Sequence, residues 1–229
     1  MWNAVWDDRP AEYAQERDCW LTRRRALFVE KFLESASSGQ HVLELGSGVG
    51  DLLIALATAR PDLRFVGIEP QRSYVEFSEQ AAKDRGLRNL SFEISSAEQV
   101  DSLFSRHDEL PWILSNDLLH HVADEARVLE SVSRVANQDT RWLAIEPNWR
   151  NPYVFVGQAF KRGERNFRPA RFLDQGRALG WFCEEQSFLF LIPPFVKSPP
   201  RSLVTLERKI ERFPVLAGGI ALRLARAEV

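Results

Sequence analysis

The chain has 229 residues, of which 45% are hydrophobic and 27% charged, a composition typical of a globular protein with a substantial core. No window reaches the ~18 uninterrupted apolar residues of a membrane-spanning helix, and the first residues lack a signal-peptide layout, so we expect a cytoplasmic protein. The net charge of −2 hides an asymmetry, because residues 1–146 carry 16 Lys/Arg and 25 Asp/Glu whereas residues 147–229 carry 14 and 7. The basic second half indicates either an anionic substrate or surface, or an ordinary solvated face.

The two cysteines, Cys19 and Cys183, lie far apart in the sequence and match no metal-binding or CxxC spacing. This usage is typical of structural thiols in a reducing compartment, and we assign them no chemical role.

The hydrophobic pattern predicts strands and helices that alternate along the chain. An N-terminal helix is expected over Pro10–Leu33, with Arg23, Arg24 and Arg25 on its solvent side. Strands are predicted over 41–45, 63–68, 90–94, 111–114, 141–145, 182–192 and 220–225, and further helices over 50–60, 70–85, 97–106, 124–136, 169–179 and 203–213. Such alternation is typical of a parallel, doubly wound sheet. Residues 147–168 interrupt it and are predicted to form an irregular insertion.

A glycine-rich turn follows the first predicted strand. Gly46, Gly48 and Gly50 alternate with other residues, and glycine lets a backbone turn tightly while its N–H groups stay near a ligand. The next strand ends at Glu69, where a carboxylate can meet ribose hydroxyls. Asp51 stands where a dinucleotide fingerprint has its last glycine, and its charge would repel a pyrophosphate. The pattern therefore favours a cationic or zwitterionic nucleoside.

Glu44 lies two residues ahead of this glycine pattern, and the segment resembles the first motif of class I S-adenosylmethionine (SAM)-dependent methyltransferases. The resemblance extends over roughly residues 40–192. It implies an α/β, doubly wound, seven-stranded, mostly parallel Rossmann-like sheet with an antiparallel last strand. It also implies SAM as cofactor, S-adenosylhomocysteine (SAH) as product, and a single domain over 1–229. That domain comprises a helical cap at 1–39, a SAM-binding half at 40–146 and a substrate-facing half at 147–229.

The resemblance also implies which residues contact the cofactor. Glu44 is expected near its amino end and Glu69 at the ribose hydroxyls. The family's adenine-binding aspartate is replaced by Ser96, whose hydroxyl can accept a hydrogen bond beside the Ala97 amide, although Ser95 and Ser96 also suit a helix N-cap. The full expected cofactor set is Glu44, Gly46, Ser47, Gly48, Gly50, Glu69, Pro70, Ser96, Ala97, Asn116 and Asp117.

The fourth predicted strand is followed by Asn116-Asp117-Leu118-Leu119-His120-His121. Enzymes that methylate nucleic-acid bases or glutamine usually carry an Asn/Asp-Pro-Pro-aromatic turn here. This segment lacks that turn and resembles the small-molecule branch of the family, so no nucleic-acid partner is predicted. His120 or His121 is a candidate catalytic base, because imidazole titrates near neutral pH. Asp117, His120 and His121 also resemble a metal-tethering stretch of quinone O-methyltransferases. No fourth ligand is in view, and no metal is predicted.

The insertion at 147–168 supplies the candidate acceptor contacts. Tyr153 and Phe160 could wall an apolar acceptor, and Arg165 and Arg168 could meet a carboxylate or phosphate; the alternative is a surface hairpin. The sequence thus predicts methyl transfer to an oxygen of a small molecule, for which an anionic compound is one option. Four alternatives stay open: a nitrogen acceptor; a sugar or lipid-linked glycan acceptor reached through peripheral membrane contact by helix 203–213; a SAM-binding regulatory module without turnover; and a nucleotide-dependent oxidoreductase, which Asp51 disfavours.

Overall fold

The computed structural model describes residues 9–105, 110–159 and 165–227. They form a seven-stranded sheet of order β3-β2-β1-β4-β5-β7-β6. The strands are β1 (His41–Leu45), β2 (Arg64–Glu69), β3 (Leu90–Ile94), β4 (Trp112–Asn116), β5 (Arg141–Pro147), β6 (Trp181–Leu189) and β7 (Gly219–Arg226). Strand β7 is antiparallel to both β5 and β6, and the other neighbouring pairs are parallel. The predicted fold class is confirmed.

Helices connect the strands and cover both faces of the sheet. They are α1 (Pro10–Arg17), α2 (Trp20–Phe32), α3 (Asp51–Ala59), α4 (Arg72–Asp84), α5 (Val100–Leu103), α6 (Glu125–Val135), α7 (Pro152–Ala159), α8 (Pro169–Ala178) and α9 (Arg201–Ile210). Strand side chains point alternately to opposite faces, so Val42 packs in one apolar cluster and Leu43 in the other.

The chain order places a cleft between β1 and β4. From β1 the sheet grows outward through β2 and β3 in one direction and through β4 and β5 in the other. Because these strands are parallel, their carboxyl ends meet at one edge of the sheet, and ligands of open α/β sheets bind where the strand order reverses. The turn after Leu45 and the segment after Asn116 therefore face the same cleft.

Three local predictions were wrong. The N-terminal helix is broken at Asp18 and Cys19, and Asp18 accepts a hydrogen bond from Arg23 of the next helix (3.0 Å). The helix expected over 97–106 is a 3-10 turn at Ala97–Gln99 followed by the single turn α5.

The third correction concerns the insertion, which was expected to be irregular but contains α7. The Asn151 side chain caps this helix by accepting from the backbone N–H of Tyr153 at 2.9 Å and of Val154 at 3.4 Å. Pro152 occupies the first turn, where proline needs no N–H partner.

Within the three described ranges, we find no helix that is long and apolar enough to cross a membrane. Cys19 is buried, Cys183 is half-buried, and both are free thiols. Burial raises the pKa of the Cys183 thiol, which lowers its reactivity.

Candidate cofactor and active site

The glycine turn after β1 forms the floor of the cleft. Gly46, Gly48 and Gly50 have φ angles of 67°, 54° and 71°, a left-handed conformation that favours glycine. Packing adds a second requirement, because a Cβ on Gly46 would lie 2.6 Å from Leu118 and one on Gly50 would lie 2.6 Å from the Phe92 ring. Both conformation and space therefore demand glycine at the ends of this turn.

Glu69 joins the glycine turn to the end of β2. Its buried carboxylate accepts from the backbone N–H of Gly48 at 3.1 Å and of Gln71 at 3.2 Å. Burial raises the pKa of Glu69, and the two backbone hydrogen bonds partly oppose that shift. The exposed Pro70 follows directly. The carboxylate thus lies at the rim of the turn, where the sequence placed it.

Three buried polar atoms around this turn have no hydrogen-bond partner among the described residues. They are Glu44 Oε2, Ser47 Oγ and Asn116 Oδ1. Glu44 is only 2% exposed. Burial, reinforced by the charges of Asp51 and Glu69, raises the pKa of Glu44 well above its usual range, and Arg17 only partly opposes this. Unpartnered buried acceptors are rare, and here they call for a ligand that brings donors.

Asp117 follows β4 with a φ of 53°, a left-handed conformation that non-glycine residues seldom adopt and that clusters at functional sites. Two arginines of the cap hold its carboxylate. Arg25 binds it with both terminal nitrogens, at 2.7 and 2.8 Å, and Arg17 lies 3.5 Å away. Burial opposes ionisation, but these arginines prevail and lower the pKa of Asp117.

Helix α1 lies across the glycine turn. Its Arg17 also donates to Asp51 at 3.2 Å, and the Tyr13 ring would be 3.7 Å from a Cβ on Gly48. Tyr13 also packs against Tyr74 of α4, with ring centroids 5.8 Å apart. The cap is therefore part of the wall of the cleft.

These arginines correct the interpretation of the N-terminal segment. Arg24 and Arg25 were expected on the solvent side, but Arg25 is 6% exposed. Arg24 pairs with Glu207 of α9 and with Glu211, which directly follows that helix. Arg23 is exposed, as expected. Arg17 and Arg25 were missed as site residues. The available signal was the presence of arginines in an N-terminal segment that precedes an acidic half of the chain.

The two histidine rings lie against each other in the turn after β4, with centroids 3.9 Å apart and planes tilted by 40°. His120 is buried, and its Nδ1 lies 2.7 Å from Glu146 Oε2 at the end of β5. The same carboxylate accepts from the backbone N–H groups of Leu118 (3.1 Å), Leu119 (2.8 Å) and His120 (3.3 Å). Glu146, which sequence reasoning missed, therefore fixes both the turn and the imidazole.

Asp117 is bound by Arg25 and Arg17, and the imidazole of His120 is bound by Glu146. Over the part of the chain that the structure describes, no group of three or more His, Cys, Asp or Glu is arranged to hold a metal ion.

Ser96 and Ala97 lie at the end of β3, beside β2. Ser96 precedes the 3-10 turn, its carbonyl accepts from Gln99 N at 3.0 Å, and Ala97 is buried. The neighbouring Ser95 N–H donates to the Glu69 carbonyl at 3.2 Å. The two residues therefore border the same edge of the sheet as the glycine turn.

The candidate acceptor residues are less closely grouped. Arg165 lies beside the histidines, because its backbone N–H donates to the His120 carbonyl at 3.2 Å. The Arg168 guanidinium lies 4.3 Å from the centre of the Trp149 ring. Tyr153 is 68% exposed, and Phe160 lies outside the described residues. Arg165 is thus joined to the turn that carries the histidines.

A glycine turn and a buried carboxylate at the switch point of such a sheet are typical of nucleoside-binding α/β proteins. Residues 36–176 match a family model described as a methyltransferase domain. The chain therefore belongs to the class I SAM-dependent methyltransferases, and SAM is its cofactor.

Relatives of known sequence show the range of that family. The chain is similar to the tRNA (guanine-N(7)-)-methyltransferase of Mycoplasmopsis agalactiae, with 32% identity over 33% of this chain and 37% of the relative. It is also similar to a protein named uncharacterized methyltransferase YcgJ from Bacillus subtilis (strain 168), with 28% identity over 46% and 40%. The chain spans less than half the length of these two relatives.

Solved structures agree on the fold. The YcgJ protein from Bacillus subtilis superimposes with a TM-score of 0.65 at 17% identity, over 90% of this chain and 100% of the other. Geranyl diphosphate C-methyltransferase from Streptomyces coelicolor A3(2), solved with Mg²⁺, geranyl diphosphate and SAH, gives 0.70 at 14% identity over 90% and 80%.

Proposed function

We propose that the protein transfers the methyl group of SAM to a hydroxyl oxygen of a small molecule. The observation that carries this proposal is the placement of unpartnered buried acceptors, Glu44 Oε2 and Asn116 Oδ1, at the glycine turn, one strand end away from the His120–Glu146 pair. Glu44 and Asn116 are suited to bind the methyl donor. The His120–Glu146 pair is suited to remove the proton from the hydroxyl group that receives the methyl.

The residues of the cleft fit the chemical groups of SAM, which supplies an activated methyl group when bound. Glu44 and Asn116 would accept hydrogen bonds from its ammonium, and Arg17 would pair with its carboxylate. Glu69 would accept from the ribose hydroxyls. The remaining expected contacts line the nucleoside: the glycine turn with Ser47, then Pro70, Ser96, Ala97 and Asp117.

His120 would act as the general base. A carboxylate only accepts hydrogen bonds, so the 2.7 Å contact with Glu146 requires the hydrogen on Nδ1. The other ring nitrogen, Nε2, then carries a lone pair and can take the proton of the acceptor hydroxyl. Glu146 is a positioning residue in this scheme, because it fixes the tautomer and orientation of the ring. His121, whose ring lies against that of His120, is the alternative base.

Two observations support a small acceptor. The cap lies across the glycine turn and is held by partly buried ion pairs from Arg17 and Arg25, which narrows the approach for a macromolecule. The segment after β4 also lacks the proline turn expected for base and glutamine methylation. Arg165 and Arg168 remain the proposed contacts for an anionic group, and Tyr153 and Phe160 those for an apolar one.

Calorimetry with SAH and a tritium-transfer assay test the proposal. Wild-type protein should bind SAH and transfer label from [methyl-³H]SAM to the small-molecule fraction of a cell extract, but not to its RNA or protein fractions. SAH binding without transfer would instead indicate a regulatory module, transfer to RNA would refute the small acceptor, and NADH binding without SAH binding would refute the methyltransferase assignment.

Variants separate the roles of the two histidines. His120→Gln should lower kcat about 10²–10⁴-fold while leaving SAH affinity within about twofold, because general bases contribute that much. His121→Gln is the matched control and should change kcat little. Glu146→Gln should lower kcat and shift the pH profile, since the amide would donate to Nδ1 and reverse the tautomer. A larger loss in His121→Gln would transfer the base role to His121.

A further inference from the structure

Exposed apolar side chains cluster where α7 meets the turn after α9. They are Tyr153, Phe155 and Val156 of α7, and Phe213, Val215 and Leu216 of the turn, each 41–68% exposed. The two segments adjoin, because the Asn151 side chain donates to the Leu216 carbonyl at 2.8 Å and the Asn148 side chain donates to the Ala217 carbonyl, also at 2.8 Å. We call these six residues the apolar face. A contiguous exposed patch of this kind usually marks an interaction site.

Near the apolar face, the fold places acidic side chains toward the protein interior and basic side chains at the surface. Residues 193–216 contain five Lys/Arg and two Asp/Glu. Both acids of this segment point inward: buried Glu207 of α9 accepts from Trp20 and from the backbone of Leu191 and Ile192, and Glu211, which directly follows α9, pairs with Arg24.

The basic side chains at the end of α9 and in the turn after it face solvent. Arg208, Lys209 and Arg212 are exposed, and the Arg212 guanidinium lies 5.5 Å from the centre of the Phe213 ring. Arg208 lies in the last turn of α9 and Arg212 in the turn that follows the helix. The outer surface of this region is therefore basic and apolar together.

We infer that this surface docks the protein on an anionic lipid bilayer. Basic side chains beside exposed aromatic and aliphatic ones are the pattern of interfacial membrane binding, in which the bases contact anionic headgroups and the apolar groups enter the acyl boundary. RNA would also attract the bases, but Val156, Val215 and Leu216 have no ring on which a base could stack. The apolar part of the face therefore favours lipid over RNA.

The apolar face borders the edge of the sheet that carries the site. Asn148 directly follows β5, and at that end of the sheet Pro147 is in register with Gly219 of β7. Docking would thus bring this edge of the protein to the bilayer. The inference does not depend on the acceptor, since it concerns binding and not turnover.

Vesicle sedimentation of the full chain tests the inference. Binding is measured on phosphatidylcholine vesicles with and without 30 mol% phosphatidylglycerol, at low and physiological salt. We expect the protein to bind the anionic vesicles, and we expect physiological salt to weaken this binding. Arg208→Glu/Arg212→Glu should reduce partitioning at least about 30-fold, from two lost bases at about fivefold each. Lys83→Glu/Arg88→Glu, two exposed bases near the opposite edge of the sheet, is the matched control and should bind as wild type.

A second pair of variants tests the apolar part. Phe213→Ser/Leu216→Ser should also lose vesicle binding at least tenfold with all bases retained, whereas Leu27→Ser/Leu103→Ser, which replaces exposed leucines elsewhere, should not. Circular dichroism verifies that each variant folds. Absence of binding to anionic vesicles would overturn the inference. Equal loss of vesicle binding in the control variants would also overturn it. So would a protein that binds an RNA oligonucleotide and whose binding to both RNA and vesicles is unchanged by Phe213→Ser/Leu216→Ser. SAH calorimetry on the same variants separates this outcome from failure of the proposed function.

Discussion

Replacement of Glu44 by glutamine should stabilise the protein while weakening the cofactor. The carboxylate is 2% exposed, Oε2 has no partner among the described residues, and the net effect of its surroundings raises the pKa of Glu44. Burial and repulsion by Asp51 and Glu69 therefore outweigh attraction by Arg17. Glutamine keeps the shape and removes the charge. Each pH unit between the unfolded and folded pKa of Glu44 corresponds to about 1.4 kcal/mol, and the variant should gain that free energy of unfolding at a pH where the unfolded carboxyl is ionised.

The gain should depend on pH. An acid whose pKa is higher in the folded than in the unfolded state destabilises the fold once the unfolded chain can ionise. The wild type should therefore lose stability relative to Glu44→Gln as pH rises above about 4.5, until the folded carboxyl also ionises. Below that pH the two proteins should have similar stability.

Binding of SAH should change in the opposite direction. A hydrogen bond to a charged group contributes about 1.5–3 kcal/mol, so Glu44→Gln should weaken SAH about 10–100-fold. Urea unfolding at pH 4 and pH 8 and calorimetry with SAH measure both quantities. Glu93→Gln, at an exposed position of β3, should change neither. A variant that is less stable at pH 8, or that binds SAH within twofold of wild type, would refute the reasoning.

Three further predictions follow from contacts at the site. Arg25→Met and Asp117→Asn should each cost about 3 kcal/mol of unfolding free energy at pH 7, and the double variant should show a coupling energy of about 1–3 kcal/mol between them. Because the pKa of Asp117 is lowered in the folded protein, this coupling should disappear from urea unfolding as the pH falls below about 4. Glu69→Ala should weaken SAH by about 1–3 kcal/mol in calorimetry, and unchanged affinity would argue against a ribose contact. Methyl transfer should survive dialysis against EDTA, and restoration of a lost activity by Mg²⁺ or Zn²⁺ would contradict a side-chain base.

Local patterns sufficed to predict the sheet. The strand ends and the glycine turn depend on apolar runs and on backbone conformations that one residue type adopts easily, and both act over a few neighbouring residues. That is why Glu44, Gly48 and Glu69 could be placed together at one cleft. The short helix α7 was missed because its signal is a single Asn-Pro cap inside a segment without clear periodicity.

The ion pairs of the site could not be predicted in the same way. Arg25 and its partner Asp117 are 92 residues apart, and His120 and Glu146 are 26 residues apart. Helical periodicity indicates which side of α2 faces the protein, but it does not show that the side chain of an acidic residue lies opposite that side. Arg25 was therefore expected in solvent. Only the register of β4 on β5 brings the end of each strand, and hence Glu146, beside the histidine turn.

Helix α2 ties the earliest and latest parts of the chain together. Its Trp20 and Arg24 contact Glu207 and Glu211, each pair separated by 187 residues. At about 5–20 residues per second, a ribosome needs about 10–40 s to make the residues between them. For that interval the nascent helix lacks the carboxylates that neutralise Arg24 in the native protein. The cap over the cofactor cleft can therefore close fully only after α9 has been made, which makes the finished cleft a late product of synthesis.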